Sequence, residues 1–290
     1  MARRMRSFVP VLPLCLLLAA GCGVARRTAV GTMVPILERT VESLYGDEDI
    51  ETVEKGIPAN LLLLRGLCAS DPGNRDLWAL TAQLYFYYGF GFVEDRDLGQ
   101  AALVYRQGVT LGRQALARKS WFRPEEDFNS FQRGLLDARV EDVPLLFWTG
   151  ASWAAWVGRN VDDPAAIAEL PLAEAILERV LALDPDYMMG LPHAMAGTLK
   201  GMKPVMMGGK PEEARMHFEE AFRLSGRRML IFQTLYARYY CRAVLDEECF
   251  TEVVREVLDA PADIEPGYRL LNEVARRKAR ILMEMKDDWF

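Results

Sequence analysis

The chain has 290 residues, 51% of them hydrophobic and 26% charged, with a formal net charge of −6. This acidic balance argues against nucleic acid and anionic lipid surfaces as partners, because both select for Lys and Arg. The length suffices for a substantial core in one or two units, and none of the five cysteines has zinc spacing.

The N-terminus reads as a bacterial lipoprotein leader. Arg3, Arg4 and Arg6 form a basic start, and Phe8 to Ala20 form an almost wholly apolar run broken by Pro10 and Pro13. That run is shorter than the about 20 residues a spanning helix needs and has the proportions of a signal peptide. It ends in Leu18-Ala19-Ala20-Gly21-Cys22, small residues followed by a thiol, which resembles the lipobox. Residues 1–21 are therefore expected to be a signal peptide, and Cys22 the lipid-bearing terminus of a mature chain, 22–290. Its acyl chains, at about 0.8 kcal/mol per buried CH₂, would anchor it to a membrane. The expected location is the periplasmic space, anchored to the inner or the outer membrane, with Gly23 after the cysteine leaning towards the outer. Removing the leader takes three Arg and no acid, lowering Lys+Arg from 35 to 32 against 41 acids, a mature charge near −9.

From there the pattern is helical. β-branched alternation is almost absent. Leu172, Ala175, Ile176, Ala182 and Leu183 mark one face of an amphipathic stretch. Asp71-Pro72-Gly73, Asp163-Pro164, Asp184-Pro185, Lys210-Pro211 and Ala260-Pro261 punctuate the helices. A repeat runs through them: an aromatic, a small residue and often an aromatic on a first helix, then Ala, a large apolar residue and a small residue on a second. It reads Trp78, Ala82, Tyr85 with Ala101, Tyr105, Gly108; then Ala173, Leu177, Val180; then His193, Gly197 with Ala214, Phe218, Ala221; and more weakly Gln233, Ala237, Tyr240. The small residues would let antiparallel helices approach closely, and the aromatics would fill the gap to the next pair. This spacing is that of degenerate tetratricopeptide repeats. The expected fold is all-α, a right-handed α-solenoid of tetratricopeptide-like hairpins forming a single repeat domain.

Three turns are lengthened: Gly89 to Arg96, Gly158 to Asp163, and Lys203 to Gly209. Turns lengthened at equivalent places should project from one edge, which is often the binding edge; the alternative is drift in surface loops. Phe90 and Phe92 flank Gly91 in the first, either as a pore-lining or contact loop or as a loop tucked over helix ends. Met206 and Met207 in the third join them as candidates. Trp148, Trp153 and Trp156 share one predicted helix and either line an apolar channel or pack between repeats. Glu94-Asp95-Arg96-Asp97 lacks the ligands of a calcium loop and reads as a solvated turn with helix capping. His193 takes the place of a repeat aromatic; His217 lies on the second helix of the same repeat. Lys203, Lys210, Arg227 and Arg228 either face an acidic partner or an organic acid, or are solvated. Cys241 and Cys249 fall on successive helices, as a disulfide or as buried small hydrophobes. No nucleophile arrangement, phosphate loop or metal set stands out, so neither catalysis nor a cofactor is expected.

One ordered set resembles a known family. It comprises the lipobox, the repeat helices, Gly89-Phe90-Gly91-Phe92-Val93-Glu94-Asp95, Trp153-Ala154-Ala155-Trp156, Leu170-Pro171, and Pro204 to Gly209 before Pro211-Glu212-Glu213-Ala214. Together these are similar to the TatT component of tripartite ATP-independent periplasmic (TRAP) transporters, over about Thr32 to Trp289. The resemblance implies an all-helical lipoprotein that forms homotrimers and partners the periplasmic solute-binding protein of the transporter. It implies a pore or cleft through each protomer that would take a small apolar or organic-acid ligand. Phe90, Gly91, Phe92, Trp148, Trp153, Trp156, His193, Met206 and Met207 are its candidate lining. The alternative is an envelope-assembly scaffold lipoprotein with similar repeats, which predicts a concave groove and no through-pore.

Overall fold

The computed structural model describes residues 11–203 and 208–290, with side chains from Thr28 onward. Among the described residues every regular element is a helix. The side chain of Cys22 and the residues Met206 and Met207 lie outside this set.

Helix α1 (Val11–Tyr45) leads into α2 (Ile50–Ser70), α3 (Arg75–Tyr88) and α4 (Leu98–Leu116). Asp49, Asn74 and Asp97 cap the last three by accepting bonds from the backbone N–H of Thr52, Leu77 and Gln100; each meets orphan donors of a first turn. On α2, Val53, Ile57, Leu61, Leu64 and Cys68 are buried at helical spacing. Next come α5 (Phe128–Leu135), α6 (Val143–Gly158), α7 (Pro164–Ala168) and α8 (Leu170–Leu183). Proline in the first turn of α6, α7 and α8 costs nothing, because that N–H would lack a partner anyway. Helix α6 is apolar nearly all round and is the central rod, packed by α3, α4 and α8.

Helices α9 (Tyr187–Gly201) and α10 (Pro211–Ser225) pack along one another. The chain enters α9 through left-handed Met188, Met189 and Gly190 and leaves α10 through left-handed Gly226. Helices α11 (Leu230–Tyr236), α12 (Glu247–Asp259), α13 (Arg269–Glu284) and α14 (Lys286–Trp289) complete the chain. Helix α13 packs on α11 and α12 and also reaches α1 and α2. A disulfide joins Cys241 to Cys249, while Cys68 is a buried free thiol.

Two of the small residues read from the sequence spacing, Gly197 and Gly108, sit at close helix contacts. A Cβ on Gly197 of α9 would lie 2.8 Å from the Phe218 ring and 3.1 Å from the Ala214 carbonyl oxygen of α10. A Cβ on Gly108 of α4 would lie 2.8 Å from Ser152 Oγ of α6. The first lengthened turn differs from its expected form. Gly89–Val93 is a π-helical turn that prolongs α3, and Gly91 and Phe92 are buried. It is not a projecting loop, because Gly89 lies flush on the Tyr105 ring and the apolar residues after it turn inward.

The α9–α10 seam gives a test. Gly197→Ala should destabilise the chain, since overpacking costs about 1–3 kcal/mol against about 1 kcal/mol gained in helix propensity. A urea midpoint above that of the parent chain would contradict this packing.

Candidate functional site

A cavity of about 270 Å³ lies between α3, α4, α6, α9, α11 and α13. Its deep wall is aromatic and aliphatic: Phe86, Phe147, Trp148, Ala151 and Leu191 are all buried. Trp148 is held in place by ring contacts with Phe86, Tyr87 and Phe147 at 4.8 to 5.5 Å, and its Nε1 donates to Tyr187 Oη at 3.2 Å. Around the mouth stand Arg159 and exposed Val161 after α6, Met202 after α9, and Arg238, Tyr239 and Arg242 after α11. The turn carrying Arg238 and Tyr239 is a second π-helical turn, Ala237–Cys241. Gly201 makes room for it, because a Cβ there would lie 2.2 Å from the Tyr239 carbonyl oxygen.

A second space of about 20 Å³ adjoins the first, lined by Tyr45, Gly91, Phe92, Leu270 and Val274. Tyr87, Phe90 and Leu271 line both spaces and form the wall between them. Phe90 stacks on Phe86 with centroids 5.6 Å apart.

One side of the cavity is charged. Glu94 is buried, and its oxygens accept bonds from Lys278 Nζ at 2.8 Å, Arg159 Nη2 at 2.9 Å and Tyr105 Oη at 2.7 Å. Lys278 Nζ also donates to both Asp95 oxygens, at 2.8 and 3.0 Å, and sits 4.4 Å from the centre of the Phe90 ring. Burial alone would push the Glu94 carboxyl up, but the charges of Lys278 and Arg159 outweigh it and hold it down at about 2. Burial, reinforced by the Glu94 charge, pushes the Tyr105 hydroxyl well above its ordinary value, so it stays a donor. Two carboxylates and two cations balance within this cluster.

Glu94 and Asp95 are thus not the solvated turn expected of them. The correction has a physical cause: their partner Lys278 is 184 residues further on and invisible to local pattern. Asp97 alone plays the capping part. Of the candidate lining residues, Phe90 and Trp148 face the main cavity, and Gly91 and Phe92 face the smaller one. Trp153 and Trp156 lie elsewhere: Trp153 Nε1 donates to Glu169 at 2.7 Å, and the Arg106 guanidinium covers the Trp156 ring at 4.2 Å. His193 is also away from the cavity, its Nδ1 3.1 Å from Nδ1 of His217. Burial lowers the pKa of both imidazoles, so the pair shares its hydrogen bond in the neutral form. Lys203, Lys210, Arg227 and Arg228 pair with Glu174, Glu213, Glu256 and Glu265 of the chain itself. Arg159, Arg238, Arg242 and Lys278 were not singled out in the sequence. Nothing in the local sequence sets these four apart from the chain's other basic residues.

A family model described as the TRAP transporter T-component matches residues 46–290. The chain belongs to this family. The match takes in every residue lining the main cavity and leaves out the leader and all of α1, Tyr45 of the smaller space included. No match was found among curated proteins. T components are parts of a transporter and not a family of enzymes, so this chain has an accessory role in a TRAP transporter and associates with other TRAP subunits. Among the described residues no cluster of three or more His, Cys, Asp or Glu could hold a metal ion, and no helix is long and apolar enough to cross a membrane.

The charge cluster of this T component is testable by halves. Lys278→Met removes one cation, leaving the part-buried Asp95 without its ion pair and buried Glu94 with only Arg159 and Tyr105, which should cost about 3 kcal/mol in urea unfolding. Adding Glu94→Gln and Asp95→Asn should recover part of that loss. A single variant as stable as the parent would show that the cluster is hydrated and not buried.

Proposed function

We propose that this T component is a periplasmic lipoprotein that engages the solute-binding protein of its TRAP transporter and holds a small ligand in its central cavity. The observation that carries the reading is that cavity. In a family whose members are transporter parts, an apolar space with a charged rim has the form of a ligand site. Its volume is just below the usual range for such sites, about 300–1,000 Å³, which suits a small molecule. Passage would run through the wall of Tyr87, Phe90 and Leu271 into the smaller space. The helix pairs α3–α4 and α9–α10, with glycines at their seams, support a single repeat domain over 22–290 built as a tetratricopeptide-like solenoid. The homotrimer belongs to the same proposal by likeness to the family.

The location rests on two features. The leader before Cys22 has the order of a lipobox, and the Cys241–Cys249 disulfide suits an oxidising compartment. Cys22→Ser should leave far-UV circular dichroism unchanged while the chain moves from the membrane fraction to the soluble one. Retention in the membrane fraction would count against the lipid anchor.

The partner is tested at the mouth. Val161 lines the cavity and is 58% exposed. A photocrosslinking residue at Val161 in cells should capture the transporter's solute-binding protein, and one at exposed Leu103 on α4 should not. Failure to capture it from either position would overturn the partnership.

A further inference from the structure

Arg238 and Arg242 differ from the other charges of the cavity. Arg159 and Glu94 are paired with one another within the neutral cluster. Among the described residues, Arg238 and Arg242 have no carboxylate partner. Their contacts are with ring faces: the Arg242 guanidinium lies 4.1 Å from the centre of the Trp289 ring, and that of Arg238 lies 5.5 Å from the Tyr239 ring. Stacking uses the flat face of a guanidinium and leaves its N–H edge free to donate.

The two cations are also close enough to oppose one another. Burial, and after it the charge of Arg238, lowers the Arg242 pKa. The turn that carries the two guanidinium groups is fixed from both sides. Cys241 lies between them in the chain and is tied to Cys249, while the glycine seam at Gly201 seats their turn against α9. Below them the cavity wall is apolar down to Trp148.

Resting on the reading of this cavity as a ligand site, we infer that it takes a single-chain anionic amphiphile. Arg238 and Arg242 bind the anionic head at the mouth, and the tail lies along Ala151, Leu191 and Trp148. A carboxylate satisfies the head chemistry, because it accepts two parallel N–H bonds from a guanidinium edge. Size limits the tail. At about 30 Å³ for each water-sized group, the cavity holds on the order of nine such groups, so a medium-chain monocarboxylate fits and a two-chain lipid does not. Glu94 does not repel the head, since Lys278, Arg159 and Tyr105 already saturate its oxygens.

Three probes of equal chain length separate the terms: octanoate, 1-octanol and octylamine, titrated calorimetrically into the purified chain. Octanoate should bind at least tenfold more tightly than either of the others. In the double variant Arg238→Gln, Arg242→Gln, octanoate should weaken at least tenfold while 1-octanol is unaffected. Both side chains lie at the rim, and an unchanged thermal midpoint would show that the variant is folded. If 1-octanol binds the parent as tightly as octanoate, or the variant keeps the preference for octanoate, the anionic-head assignment is overturned and the cavity reading survives. If none of the three binds, both are overturned.

Discussion

The cluster of Glu94, Asp95, Arg159 and Lys278 is the contact on which the rest of this molecule depends. It joins the end of α3, the end of α6 and the last long helix at one buried point, across 184 residues of sequence. Taking these charges out of water costs several kcal/mol per ion, and only a closely matched set recovers that cost. Lys278 therefore has one acceptable seat. If α13 rotated by one residue, its ammonium would leave both carboxylates. A contact of this kind adds little net stability, but it specifies one packing of α13 over the cavity. Phe90 is drawn into the same arrangement, because the Lys278 ammonium lies over its ring.

Two π-helical turns do the corresponding work in the backbone. Gly89–Val93 continues α3, and Ala237–Cys241 continues α11. Each inserts a residue into the helical ladder and re-aims the side chains that follow, a distortion that concentrates at functional positions. Without the first, Phe90 and Glu94 would fall on different sides of the helix from those they occupy. The second points Arg238 and Tyr239 at the cavity mouth. Close approach makes both turns feasible: Gly89 lies against Tyr105 and Gly201 against the Tyr239 carbonyl.

Much of the scaffold was legible in the sequence, because its signals are local. Proline stands in the first turn of helices beginning at Pro164 and Pro211, where it was read as punctuation. Gly197 meets Ala214 and Phe218 across the α9–α10 seam, a contact whose signal is residue size at helical spacing. The site was legible only in part. Trp148 and Phe90 were found by their apolar bulk, but the same criterion selected Trp153 and Trp156, which pack under Arg113 and Arg106 instead. Helical spacing tells which residues share a face and not what that face meets. Glu94 was missed for the opposite reason: an acidic run after glycines has the composition of a solvated turn, and its burial follows from a lysine near the far end of the chain. The glycines of that stretch were read as loop formers, yet they permit a π turn and a close ring contact.

The site also bears on which kind of all-helical protein this is. A scaffold that grips large partners needs a concave outer groove with exposed contacts, whereas the cavity here is enclosed between helices and has an aromatic wall. Its rim adds a second distinction. In a chain with 41 acids against 35 Lys and Arg, an anion approaching from a distance meets an unfavourable field. That field is screened within about 8 Å at physiological ionic strength, so what decides binding is the charge within the last few ångströms. There the balance is reversed: buried Glu94 is already paired with Lys278 and Arg159, and Arg238 and Arg242 have no carboxylate partner beside an apolar wall. An amphiphile with a negative head meets local attraction at the mouth and loses water along its tail, two contributions that a purely apolar or purely polar solute would obtain only singly.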